Sequence, residues 1–170
     1  AEAIGDARRV AFVPYAAVTF SYDEYVRRVR EGLDGLGLEI EGVHTADDPV
    51  RAVAEAEAVF VGGGNTFHLL REMHRLGLVA AIRETVGAGA PYVGWSAGAN
   101  VAAPTIRTTN DMPIALPESF DSMGVVPFQI NPHYHPGKIR FIDGDSLSEH
   151  YGESRAQRIA EYHRHESTPV

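Results

Sequence analysis

Short apolar runs and amphipathic stretches follow one another through the first part of the chain. Val10-Ala11-Phe12-Val13 is wholly apolar and stops at Pro14, as a buried strand does. From Tyr22 to Leu36 the residues Tyr25, Val26, Val29, Leu33 and Leu36 share one helical face, with Arg and Glu between them, and Gly35 and Gly37 punctuate the end. Leu38 to Val43 alternates as a strand. Asp47 or Asp48 offers an N-cap to a helix through Val50, Val53 and Ala54. Ala58-Val59-Phe60-Val61 is a second buried strand, and it runs into Gly62-Gly63-Gly64-Asn65. Thr66 to Leu76 is amphipathic and helical with Gly77 as its stop, Val79 to Val86 is a further helix, and Pro91 to Val93 is a third apolar run.

Strands separated by helices of this length imply βαβ units. They predict a parallel sheet with helices on both faces, in a single α/β domain over residues 1–170. Ligands of such sheets bind beyond the C-terminal strand ends, so the glycine-rich turns at Gly62 and Gly94 should be neighbours. After Asn100 the rhythm changes. Pro104 to Pro117 is irregular and polar, Val125 to Asn131 reads as a strand broken by Pro132, His133 to Ser148 reads as an exposed loop, and Glu153 to His165 reads as a helix.

Gly94-Trp95-Ser96-Ala97-Gly98 lies between the strand Tyr92-Val93 and a run of small residues suited to a helix. That is the context of a nucleophile elbow, in which a tight strand-to-helix turn lifts the serine hydroxyl clear of the chain. Such a serine attacks a carbonyl carbon when a histidine takes its proton. The chain has 8 His, so placement must choose among them. His133 follows a strand-like run and the stop Asn131-Pro132, which sets it on the same rim as Ser96. His135 shares its strand parity, so a His-x-His metal pair is conceivable, but no third ligand is evident. Asp111 is the carboxylate in the irregular segment after the elbow. Gly62-Gly63-Gly64 lacks the Gly-Lys-Ser/Thr of a phosphate loop, and reads better as backbone N–H groups for an oxyanion hole beside the N–H of Ala97.

Composition narrows the classes. A net charge of -8 argues against a nucleic-acid partner, and a cationic pocket would have to override that field for an anionic substrate. With 0 Cys there is no disulfide framework, thiolate metal site or cysteine nucleophile, and a cytoplasmic location fits. No apolar run is long enough to cross a bilayer, and the polar start, Ala1 to Arg9, lacks the apolar core of a signal peptide.

Four stretches together carry a resemblance. Phe60-Val61-Gly62-Gly63-Gly64-Asn65-Thr66-Phe67, Gly94 to Asn100, Pro104 to Pro113 and Gln129-Ile130-Asn131-Pro132-His133 resemble, in order and spacing, the peptidase E family of α-aspartyl dipeptidases. The resemblance extends from about Val10 to about Ile159. It implies a class I glutamine-amidotransferase-like (flavodoxin-like) α/β fold. It also implies hydrolysis of dipeptides with N-terminal aspartate by serine catalysis, without metal or cofactor.

Residue by residue, the resemblance implies Ser96 as nucleophile and His133 as base, with Asp111 at the family's aspartate position. It places a substrate-recognising arginine at Arg155. Arg107 and Asn65 are further substrate-binding candidates, and the oxyanion hole would comprise Gly63 or Gly64 with Ala97. A glutamate in a downstream Gly-x-x-Glu-Gly stretch competes with Asp111 for the third role, and this chain ends at Val170, before such a stretch. It also lacks the short strand expected before Val10. A missing C-terminal part would bare a sheet edge, so a homodimer or association with the missing fragment is expected. Two other readings stay open: a non-catalytic module binding small acidic ligands, and a cyanophycinase-like or β-aspartyl peptidase.

Overall fold

Four strands form one parallel sheet in the computed structural model, which describes residues 4–134, 138–143, 146–151 and 155–170. They are β1 (Arg9–Val13), β2 (Glu39–Gly42), β3 (Ala58–Val61) and β4 (Tyr92–Gly94), in the order β2-β1-β3-β4. The register pairs Phe12 with Phe60 and Val61 with Gly94. Among the described residues six α-helices accompany the strands: α1 (Tyr22–Gly32), α2 (Pro49–Ala54), α3 (Thr66–Arg75), α4 (Leu78–Gly87), α5 (Ala97–Val101) and α6 (Arg155–Tyr162).

Helix starts follow from capping chemistry. Ser21 accepts the Glu24 N–H at α1, Asp48 accepts that of Arg51 at α2, where Pro49 takes the first turn, and Asn65 accepts that of His68 at α3. Between α3 and α4 the chain turns through Gly77 at φ +71°, a conformation that costs glycine little.

Alternation along the strands divides the core. Ala11, Val13, Val59 and Val61 face one side, where Val53, Leu69, Leu70, Met73, Leu78, Ile82 and Val101 of α2 to α5 cover them. Val10, Phe12, Ala58 and Phe60 face the other, against Tyr25, Val26 and Val29 of α1. The helices therefore occupy both faces, as the pattern predicts.

Two segments differ from expectation. Val125 to Asn131 forms no strand. Pro127 has no N–H, the Gln129 N–H goes to the Pro169 carbonyl (2.6 Å), and the Ile130 carbonyl is taken by side chains. The stretch read as a loop after His133 instead contains an antiparallel pair, β5 (Lys138–Asp143) and β6 (Ser146–Tyr151). Its signal was present in the sequence as Gly144-Asp145, a dipeptide suited to a two-residue hairpin connection. Among the described residues no helix is long and apolar enough to cross a membrane.

Candidate active site

At the end of β4 the chain turns through Trp95 and Ser96 into α5. Ser96 has φ 54° and ψ -115°, which is rare and strained for a residue with a side chain. The glycines around it are there for room. A Cβ on Gly94 would lie 2.5 Å from the Gly98 carbonyl oxygen, and one on Gly98 would collide with the Val61 carbonyl. The Tyr92 hydroxyl also donates to the Gly98 carbonyl at 2.5 Å. Burial pushes the Tyr92 phenol well above its usual pKa, so it remains a donor.

His133 meets the serine. Its Nε2 lies 3.0 Å from Ser96 Oγ, and its own backbone is also left-handed, at φ 59°. For Nε2 to accept the hydroxyl proton, the ring proton must sit on Nδ1. The His133 segment is held against the elbow helix by side chains that no sequence motif marks. Asn100, fully buried on α5, donates to the Ile130 carbonyl at 2.7 Å, as does the Thr108 hydroxyl at the same distance. Asn131 donates to the Thr108 carbonyl at 2.7 Å. The available signal was Asn100 itself, an amide in a run of alanine, glycine and valine, where a buried polar group must find partners.

Gly62-Gly63-Gly64 lies beside the elbow, as the strand-end argument predicts. A Cβ on Gly63 would lie 2.9 Å from Ser96 Cβ, so this backbone passes over the nucleophile. No hydrogen bond to the described residues occupies the N–H groups of Gly63, Gly64 or Ala97.

Asp111 is placed elsewhere. Its Oδ2 accepts from the Thr66 N–H at 2.7 Å and the Thr66 hydroxyl at 2.6 Å, at the start of α3, and among the described residues no hydrogen bond joins it to His133. Asn65 is likewise engaged, capping α3 and donating to the Met112 carbonyl at 2.8 Å. These contacts pin the 108–112 segment to α3.

A cleft of about 430 Å³ opens between that segment and α6, lined by Arg107, Asp111, Asn131, Arg155 and Arg158 among others. Arg107 pairs with Glu166 at 2.8 Å and Arg158 with Glu161 at 2.8 Å. Arg155, the first residue of α6, has its Nε buried without a hydrogen-bond partner among the described residues. Among the described residues no cluster of His, Asp and Glu could hold a metal ion, and His135 lies outside them.

Comparison with known proteins bears on the family and the fold. The model of peptidase family S51 matches residues 1–170. A protein of Shewanella amazonensis named peptidase E is 51% identical over 160 residues, covering 92% of this chain and 63% of its own length. The chain spans about two thirds of the length of the curated relatives it matches. Among solved structures, a candidate peptidase E protein from Listeria monocytogenes EGD-e superposes with a TM-score of 0.64 at 24% identity, covering 89% of this chain and 91% of that one. A glutamine amidotransferase superposes at 0.52 and 17% identity, covering 86% and 70%. These two bear on the fold, which is that of the class I glutamine amidotransferases.

Proposed function

This chain belongs to peptidase family S51, and on that premise we propose that it is a serine dipeptidase that hydrolyses α-aspartyl dipeptides, Asp-X. The observation that carries the reading is the 3.0 Å approach of His133 Nε2 to Ser96 Oγ on a left-handed serine at a strand end. Ser96 attacks the aspartate's own α-carbonyl carbon, the one in the Asp–X peptide bond, while His133 takes the hydroxyl proton. The N–H groups of Ala97 and of Gly63 or Gly64 receive the oxyanion, each contributing about 3 kcal/mol. As the C–N bond breaks, His133 returns the proton to the leaving amine. Water then hydrolyses the aspartyl ester with His133 again as base.

Arg155 is the residue we assign to the substrate's carboxylate, since a guanidinium binds it in bidentate fashion. Its place in the cleft and its unpartnered Nε support that role. Arg107, already paired with Glu166, is the lesser candidate. The contacts of Asp111 with Thr66 favour a scaffolding role for it. We place the activity in the cytoplasm, which localisation of the tagged full-length protein in cells would test.

Release of free aspartate from an α-Asp-X dipeptide tests the reading. The chain should turn over, and Ser96→Ala should lose nearly all activity; full activity in that variant would refute the mechanism. Cleavage of β-linked in place of α-linked dipeptides would move the enzyme to the β-aspartyl class. Folded protein that binds Asp-X without cleaving it would make it a binding module.

A further inference from the structure

One phenol joins the two glycine-rich turns of the site. Tyr25 belongs to α1, on the opposite face of the sheet from α3 and α5. Its hydroxyl donates to the Gly63 carbonyl at 2.9 Å and accepts from the Trp95 indole N–H at 3.0 Å. Trp95 is the residue before the nucleophile. The ring lies directly against the other turn, because a Cβ on Gly62 would fall 2.6 Å from its Cε1. Edge contacts with Phe12 and Phe20, at centroid distances of 5.0 and 5.3 Å, fix its position, and Phe12 in turn stacks on Trp95 at 5.7 Å.

The Gly63–Gly64 peptide needs such a hold. Its neighbours are anchored, with the Gly62 N–H on the Val13 carbonyl (3.1 Å) and the Asn65 N–H on the Ala16 carbonyl (2.8 Å). Between these anchors stand two glycines, whose broad conformational range permits a peptide flip. The peptide is trans, so the Gly63 carbonyl and the Gly64 N–H point to opposite sides. A flip would present a carbonyl oxygen where a donor is needed, and would repel a developing oxyanion. Among the described residues, the Tyr25 hydroxyl is the group bonded to that carbonyl. Burial raises the pKa of the phenol despite its hydrogen bonds to Trp95 and Gly63, so its proton stays in place.

We infer that Tyr25 is a positioning residue for the oxyanion hole, holding the Gly63 carbonyl so that the Gly64 N–H stays presented to the reacting carbonyl oxygen. The inference rests on the serine-hydrolase reading above. Tyr25→Phe removes the hydroxyl and keeps the ring. In that variant kcat for Asp-X should fall about tenfold with KM within about twofold, a smaller loss than removing an oxyanion donor outright. In ¹⁵N-glycine spectra the Gly64 amide should shift and exchange faster with solvent. Trp95→Phe, which frees the phenol on one side only, should move the same resonance less. Should Tyr25→Phe fail to fold, Tyr25→Met also removes the hydroxyl, and an unmoved Gly64 amide in that variant overturns the inference. Unchanged kcat, or an unperturbed Gly64 amide in Tyr25→Phe, also overturns it. If the parent protein fails to cleave Asp-X, the dipeptidase reading falls by itself. The amide comparison, with the rate at which a fluorophosphonate labels Ser96, still decides the role of Tyr25.

Discussion

Among the described residues the Asn100 side chain makes no hydrogen bond to Ser96 or His133, yet it ties together the segments that carry them. It sits on α5 one turn beyond Ser96, and its amide holds the Ile130 carbonyl three residues before His133. Asn100→Ala should cost about 0.5–1.5 kcal/mol of stability through the lost hydrogen bond, since the Ile130 carbonyl keeps that of the Thr108 hydroxyl. It should also lower kcat as His133 drifts from Ser96. Denaturant unfolding and steady-state kinetics on one preparation measure both. Ser96 and His133 were legible in the sequence because the elbow motif and the Asn-Pro stop mark strand ends. Tyr25 was legible only as one of the apolar positions of a helix. Its hydroxyl bonds to Gly63, 38 residues away, and no local pattern encodes so distant a partner.

Elements are placed by the groups at their ends. The Asp111 carboxylate sits on the first N–H of α3, where a helix terminus favours negative charge. Asp111→Asn retains an acceptor for Thr66, so activity should fall by less than about tenfold. A residue that orients the catalytic histidine would instead cost on the order of 10⁴. A kcat measurement separates the two. Glu57 performs a similar task at the start of β1, accepting the Arg8 and Arg9 N–H groups at 2.8 and 3.1 Å. These bonds, with the Arg9 side chain, lower its pKa to about 2. A depressed carboxyl stabilises the fold above its unfolded pKa, and that contribution disappears as pH falls toward 2. The Tm advantage over Glu57→Gln should therefore shrink as melts move from neutral pH into that range. Most helices were visible in advance because their caps are local. The β5–β6 pair was not, because a hairpin rich in charged and polar residues reads as exposed loop unless its turn dipeptide is weighted heavily.

Across the molecule the sheet separates support from function. Leu70 of α3 lies fully buried on one face of the sheet. Leu70→Ala should cost about 2–5 kcal/mol and leave kcat within about twofold at temperatures where the protein stays folded. Phe12, fully buried on the other face, stacks on Trp95 and meets the edge of Tyr25. Phe12→Leu should lose both stability and kcat, and thermal melts paired with kinetics distinguish the two faces. The Arg155 cleft is assembled from segments distant in sequence, the 107–111 stretch and α6. Arg155→Ala should raise KM for Asp-X at least tenfold more than for an uncharged analogue, as expected for loss of a charge-assisted pair. Equal effects on both substrates would argue against recognition by Arg155. The chain's net charge of -8 said nothing of this cleft, because the local cations are outnumbered in any whole-chain sum.

The left-handed backbone of Ser96 carries a consequence for how the protein tolerates change. Glycine occupies that conformation without the penalty of about 1–3 kcal/mol borne by residues with side chains. The variant Ser96→Gly, chemically dead, should therefore melt higher than the parent. A library screened for yield or thermal resilience alone would drift toward losing its nucleophile, and only a screen that also demands turnover would keep the serine.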